Sequence, residues 1–511
     1  MEAWFILIFS LSICALLKSL FKQLQYNLKE TRKLPPSPPT LPILGNFLWL
    51  SKSISDLEPI LRNLRLKYGP VVTLYMGSKP AIFITTHELA HQALIQNGAI
   101  FAGRPPSLEA SRIINSNHQI SSATYGSLWR LLRRNLTSEI LHPCRLKSYS
   151  HARKSVMEIL INKLRSKAES GDAVRVMEHF QYAMFCLLAV MCFGEKLDEK
   201  TIREIEAVQR ALVVNFLSFN MLNFLPRLGK MLFRKRWSKL LEVRRNLDDV
   251  MVPLIRARQE LRKVKQEKKS TGEEDFITSY ADTLLDLQLP DERRKLNETE
   301  MVSLCSEFLI AGVDTTSTVL QWIMANLVKH QDIQAKLFSE INGVMGSVEE
   351  EIKEEDLQKM AYLKAVVLEG LRRHPPGHFV VPHAVTEDIC LDGCVIPKNA
   401  TVNFMVAEMG WEPKFWKDPM EFRPERFVSR DGGEVFDLTG SREIKMMPFG
   451  AGRRICPGLG LAMFHLEYFL ANLVREFEWT AGDGDDVDLS EKQEFTVVMK
   501  HPLRAHISPR F

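Results

Sequence analysis

The chain has 511 residues, 45% of them hydrophobic and 25% charged, with a formal net charge of +5. That mix supports a large buried core and excludes disordered, collagen-like and low-complexity architectures. The charge is too small for a dedicated nucleic-acid binder, which concentrates a basic stripe, yet it leaves room for an acidic protein partner or an anionic membrane surface. The cysteines (Cys14, Cys144, Cys186, Cys192, Cys305, Cys390, Cys394 and Cys456) are scattered, with no CxxC pair. A secreted disulfide scaffold is denser, so reduced thiols in a cytosolic setting are expected. There the sequons at Asn135, Asn297 and Asn399 are inert.

From Ala3 to Leu17 the chain is apolar apart from Ser10 and Ser12; Lys18 interrupts, and Leu20 and Phe21 continue. As a helix this stretch spans roughly 28 Å, enough for a hydrocarbon core with Lys18 snorkelling to the interface. A cleaved signal peptide competes with this reading, but no Lys or Arg precedes the apolar run and no small-x-small site follows it. Lys18, Lys22, Lys29, Arg32 and Lys33 put the rest of the chain on the cytosolic side, which implies the cytosolic face of the endoplasmic reticulum. The prolines at 35, 36, 38, 39 and 42 favour stiff, extended backbone: a hinge holding a body off the membrane, or an ordinary Pro-rich loop. The expected organisation is an anchor over 1–22, a basic and Pro-rich hinge over 23–46, and one large body over 47–511.

Within that body, helical periodicity predicts helices over Asp56–Lys67, His87–Gln96, Leu128–Glu139, Lys147–Glu169, Thr201–Leu217, Arg236–Val264, Glu298–Lys329 and Asp356–Arg373. Pro253 is expected to kink or divide the sixth. Strand-like runs cover Val71–Tyr75, Ala81–Ile84, Ile389–Leu391, Thr401–Met405 and Glu494–Met499. Arg262–Glu274, rich in Lys and Glu, reads as an exposed connection. The fold class is mainly α with a minor β portion.

Pro448 to Gly458 reads PFGAGRRICPG. Its glycines permit close backbone approach to a flat ligand. Cys456 precedes an apolar helical stretch from Leu459, and Arg453 and Arg454 beside it favour a thiolate, a ligand suited to a soft metal or haem iron. The spacing fits neither GxGxxG nor Walker A, and no second ligand pair makes a zinc site. A lone cysteine is more often structural. The pattern Phe-x-x-Gly-x-Arg-x-Cys-x-Gly is nevertheless filled by Phe449, Gly452, Arg454, Cys456 and Gly458. It resembles the haem-binding signature of the cytochrome P450 family, and the order of motifs is similar to that of plant microsomal members.

The resemblance implies the P450 fold, with haem b held by the Cys456 thiolate, whose electron donation favours O–O cleavage. Phe449 would shield the sulfur, and Trp129, Arg133, His383 and Arg454 would meet the propionates. Taken alone, Trp129 and Arg133 are a cation–aromatic pair at i and i+4, and His383 is an ordinary histidine. Ala311-Gly312-Val313-Asp314-Thr315-Thr316 is poor helix composition, and a local break is expected there. It resembles the family's oxygen-binding groove, with Thr315 at the dioxygen and Asp314 assisting proton delivery. Glu369 and Arg372 at i and i+3 resemble the Glu-x-x-Arg motif, joined by Arg426 of Pro424-Glu425-Arg426-Phe427, a structural group. Trp411 and Glu412 stand where the family carries an Arg-Asp pair, so a local salt bridge is expected to be missing.

Electrons would come from NADPH through a membrane-bound P450 reductase, with Arg130, Arg134, Lys445 and Arg453 as docking candidates. Ser107–His118, Phe308, Leu309, Phe379–Val381 and Phe495–Val497 would line the pocket, mostly apolar apart from the first stretch and suited to a small hydrophobic or amphipathic metabolite. The resemblance is greatest to the plant group that accompanies leaf metabolism and breakdown of chlorophyll-derived linear tetrapyrroles. Two other readings compete with the monooxygenase: a haem-thiolate isomerase or dehydratase, and a non-catalytic membrane-anchored binding protein. The intact Asp314-Thr315 and Phe449–Gly458 argue against the former, and no feature favours the latter.

Overall fold

The computed structural model describes residues 18, 34–41, 45, 46, 49, 54–77, 79–107, 109–220, 222, 232–268, 277–290, 292–346, 351–428, 436–482 and 486–511. The anchor expected over 1–22 lies outside them apart from Lys18. In chain order come α1 (Ile54–Tyr68), β1 (Val71–Met76), β2 (Lys79–Ile84), α2 (His87–His91), α3 (Ser127–Asn135) and α4 (Ser150–Ser170). These are followed by β3 (Val174–Arg175), α5 (Val176–Phe193), α6 (Glu199–Asn220), α7 (Arg234–Lys268), α8 (Glu298–Lys329), α9 (Gln331–Met345) and α10 (Ala361–Arg373). Then come β4 (His383–Ala384), β5 (Ile389–Leu391), β6 (Cys394–Ile396), β7 (Thr401–Phe404), α11 (Leu459–Glu476), β8 (Phe477–Ala481), β9 (Glu491–Gln493), β10 (Val497–Met499) and β11 (Arg504–Pro509).

The predicted 298–329 helix has the expected bounds, whereas several others differ for local reasons. The 87–96 and 128–139 predictions each end in a π-helical turn, Gln92–Gln96 and Leu136–Ile140. Pro253 does not divide α7, because Met251 and Ile255 beside it are buried at 0% and 1% exposure and hold both halves in place. The charged Arg262–Lys268 stretch continues α7 rather than leaving it, with Arg262 Nη1 donating to Asp282 O at 3.1 Å; residues 269–276 lie outside the described ones. α5, not predicted, carries 14 buried residues, so no apolar face stands out against a polar one. α5 and α8 are also long and apolar enough to cross a membrane, with mean hydropathy 1.5 and 1.2, but 78% and 72% of those windows are buried inside the protein.

The described residues group into two compact units, each assembled from three separated stretches. The first (Met1–Pro105, His378–Trp416, Asp437–Ile455) holds a four-stranded sheet of order β1-β2-β7-β4. β2 and β7 run parallel, and the other pairs are antiparallel. Side chains alternate across it as strand geometry requires. Val72, Leu74 and Phe83 pack with Leu57, Leu61 and Leu64 of α1, while Ile82, Ile84, Val402 and Phe404 build the opposite core. The Pro-rich segment is stitched along β1: Thr73 N and Oγ1 donate to Pro36 O and Pro35 O at 2.9 and 3.0 Å, and Tyr75 N donates to Asn46 Oδ1 at 2.9 Å. No salt bridge is lost at Glu412, contrary to expectation. Arg65 of α1 pairs with it at 2.6 Å, and Trp411 lies edge-on to His378, which itself contacts Glu58 at 2.7 Å.

The second unit (Pro106–Gly377, Lys417–Phe436, Cys456–Phe511) is largely helical, with a β3-β11-β8 sheet and the β9–β10 hairpin. α8 is fastened to that hairpin by Trp322 Nε1 donating to Val497 O at 2.9 Å and by the Thr318–Thr496 hydroxyl pair at 2.9 Å. Behind it, Glu369 and Arg372 of α10 form a fully buried ion pair at 2.7 Å, each side chain at 0% exposure. Arg426 joins at 3.3 Å, and Arg423 N donates to Glu369 Oε1 at 2.7 Å. Removing one partner of such a pair strands the other charge in the core. Arg372→Ala is therefore expected to cost about 3–5 kcal/mol in denaturant unfolding, whereas Lys359→Ala, which breaks an exposed pair with Asp356, leaves the midpoint in place.

Candidate active site

The cysteine loop is divided between the units. In the first, Gly450 and Gly452 both have φ +69°. A Cβ on Gly452 would lie 2.0 Å from Leu94 O, so no other residue fits. Arg454 follows, its Nε donating to Ala102 O at 2.8 Å. On β4, His383 is 4% exposed and its Nδ1 donates to Phe101 O at 2.6 Å, so the two side chains are held by consecutive carbonyls. Burial, with the Arg104 and Arg454 cations adding to it, holds the His383 pKa down to about 3. The imidazole is neutral at pH 7, and Nε2 is its open lone pair. Phe449 is half-buried in the same unit.

In the second unit Cys456 stands three residues before α11, partly exposed. The Gly458 N–H donates to its sulfur, and a Cβ on Gly458 would lie 3.8 Å from Sγ. Burial pushes the thiol pKa up, while the Gly458 amide and the Arg133 guanidinium pull it down. Binding a metal ion replaces the thiol proton outright. Arg133 and Trp129 share α3, and the Trp129 ring packs on Tyr125 at 5.1 Å. Arg130, Arg133, Arg134 and Trp129 line a surface recess of about 650 Å³. Among the described residues no group of three or more His, Cys, Asp or Glu could hold a metal. Cys456 therefore offers a single soft ligand. That fits an iron whose other ligands come from a macrocycle, with nearby arginines suited to the macrocycle's carboxylates.

α8 runs through residues 311–316 without the expected break. Thr315 Oγ1 donates back to Ala311 O at 2.6 Å, which satisfies the hydroxyl while the helix ladder continues. Gly312 serves packing: a Cβ there would lie 2.5 Å from Leu188 Cδ1 on α5. Asp314 has its pKa pushed up to about 6, first by burial; the Arg210 cation and a hydrogen bond from Gln181 hold it down, and Glu494 pushes it up. Gln181 and Arg210, which no motif marks, are thus part of this site. Phe308 and Leu309, expected at the pocket, are buried, and the Phe308 ring lies tilted against Tyr280 at 5.3 Å. Phe495 is partly exposed and lies edge-on to Phe216 at 5.8 Å. The 114–121 segment is tied to α8, with Ile120 N and Ser121 N donating to Glu307 at 2.7 and 2.8 Å and Ser116 meeting Ser303 at 2.8 Å.

The Asp314 shift sets a stability signature. A carboxyl that titrates near 6 folded and near 4 unfolded binds more protons in the folded state, so stability falls as pH rises between those values. Asp314→Asn removes the effect. It is expected to be about 1–3 kcal/mol more stable than the parent at pH 7, with the difference vanishing below pH ~4 in thermal unfolding.

Residues 35–508 match the family model described as Cytochrome P450. The chain is 49% identical to Cytochrome P450 89A9 of Arabidopsis thaliana over 519 residues, covering 99% of this chain and 98% of that protein. It is 30% identical to the Tabersonine/lochnericine 19-hydroxylase of Catharanthus roseus, over 95% of this chain and 94% of that protein. Among solved structures it superposes on a zebra fish cytochrome P450 bound to abiraterone with a TM-score of 0.72 at 22% identity, covering 89% of this chain and 99% of that one.

Proposed function

We propose a division of labour for a chain that belongs to the cytochrome P450 family and is a haem-thiolate monooxygenase. Haem, when bound, supplies oxygen activation, with electrons drawn from NADPH through a separate reductase. The observation that carries the residue assignment is Cys456 itself: a lone thiol beside the Gly458 amide and the Arg133 cation. Cys456 would hold the haem iron through its sulfur, and the Gly458 N–H would steady the thiolate's negative charge. Arg133, Trp129 and Arg454 would meet carboxylates of the macrocycle, and Phe449 would shield the sulfur, as the family motif implies. His383, neutral with Nδ1 committed to Phe101 O, meets a carboxylate by taking up a proton at Nε2.

On α8, Asp314 holds a proton at a pKa near neutrality, the range in which a carboxyl both gains and releases it readily. Thr315 Oγ1, whose own proton points to Ala311 O, presents its lone pairs to accept. This intact pair favours a monooxygenase over an isomerase that consumes no electrons. The substrate is a small, largely apolar plant metabolite, in specialised metabolism or pigment breakdown. The similarity to a plant 19-hydroxylase and the partly exposed Phe216–Phe495 pair support that class. The exposed Arg130 and Arg134 of the second unit, and Lys445 and Arg453 of the first, serve the acidic face of the reductase. Residues 1–22 anchor the chain in the endoplasmic reticulum membrane, with the catalytic body in the cytosol.

The deciding measurement is the carbon monoxide difference spectrum of the reduced protein. A strongly red-shifted thiolate band is expected in the parent and is lost in Cys456→Ser; a thiolate band persisting in the variant would overturn the ligand assignment. Thr315→Ala is expected to raise the peroxide released per NADPH consumed by roughly tenfold, leaving the spectrum intact. Deleting residues 1–22 is expected to shift most of the protein from the membrane to the soluble fraction with an unchanged haem spectrum.

A further inference from the structure

Gln181 of α5 is 9% exposed and uses both ends of its amide. Its Nε2 donates to Asp314 Oδ1 at 3.4 Å, and its Oε1 accepts from Arg210 Nη1 at 3.0 Å. Arg210 is exposed on α6. Three helices of the second unit are thereby joined through one polar line, from the protein surface to the carboxyl on α8. A buried amide left unbonded costs free energy, and this one is bonded at each end to a group of fixed polarity. An amide does not pass an excess proton along as a hydroxyl or carboxyl does, so Gln181 orients rather than relays. Its donation occupies Oδ1 and leaves Oδ2, to which no hydrogen bond runs among the described residues, as the oxygen that carries the proton.

We propose that Gln181 and Arg210 are positioning residues for Asp314, the amide selecting the carboxyl oxygen that holds the proton and the guanidinium fixing a positive charge behind it. This rests on the reading of Asp314 as the proton-holding group. The groups that face the carboxyl are Gln181 from α5, Arg210 from α6 and Glu494 beside β9, the two charges opposed in sign. Without Arg210, only the Gln181 hydrogen bond opposes burial and Glu494, and the protonation midpoint, about 6 in the parent, moves up. Losing the Gln181 hydrogen bond moves it the same way.

The test is an infrared pH titration of the protonated carboxyl band in the full-chain holoprotein, the band assigned by its absence in Asp314→Asn. Peroxide released per NADPH with added reductase is measured alongside it. Gln181→Leu and Arg210→Ala are expected to move the midpoint upward and to raise the peroxide share roughly two- to fivefold, and Arg210→Lys to restore both. If Gln181→Leu lacks the carbon monoxide band, Gln181→Met takes its place. An unmoved midpoint in both disruptive variants overturns the proposal. A moved midpoint in an enzyme whose peroxide share is indifferent to Asp314→Asn upholds the positioning and instead refutes the proton-holding role of Asp314.

Discussion

Glu369 is a carboxylate with no access to water that accepts from four N–H groups: Arg372 Nε and Nη2, Arg426 Nε and the backbone of Arg423. Burying that charge is costly unless every lone pair is met, and meeting them requires α10 and the 417–426 stretch to arrive in one arrangement. Arg372 in turn donates to Pro419 O and Glu421 O, and Arg426 to Asp418 O and Lys417 O. The carboxylate thus ties helix to coil across more than fifty residues of sequence. α10 also packs against α8: a Cβ on Gly370 would lie 2.4 Å from Ile323, so the helix axes approach as closely as glycine allows. The helix that carries this cluster is thus packed against the one that carries Asp314 and Thr315.

A second constraint comes from α5. Its fourteen buried residues give the second unit a helix surrounded by protein, and Leu188 fills the space that Gly312 leaves. In such surroundings a carboxyl resists ionisation. The fold accepts an energetic burden at Asp314 and relieves part of it with Gln181 and Arg210. That burden accords with the proton-holding role proposed for Asp314.

Much of this was legible in the chain. The cysteine loop, the Asp314–Thr315 pair and the Glu369–Arg372–Arg426 group each carry a distinctive local spacing, and the 298–329 helix shows its extent in its periodicity. What escaped has a common physical cause. From Tyr182 onward α5 is apolar nearly all round, so periodicity has little to act on. The two-residue strands β3 and β4 exist through pairing with distant chain, which local propensity does not report. Gln181 and Arg210 matter only through tertiary hydrogen bonds. The expected break at 311–316 failed because a threonine bonding back to the preceding turn is compatible with an unbroken ladder when neighbours hold the helix straight. Pro253 is tolerated for the same reason.

The stitching of the Pro-rich segment to β1 has a mechanical side. Any pull on the chain before Leu34 reaches the first unit through Pro35, Pro36 and Asn46, whose bonds to Thr73 and Tyr75 lie side by side along the strand. The Pro-rich segment is thus fastened to β1, the outer strand of the sheet, and not to β2 or β7 within it.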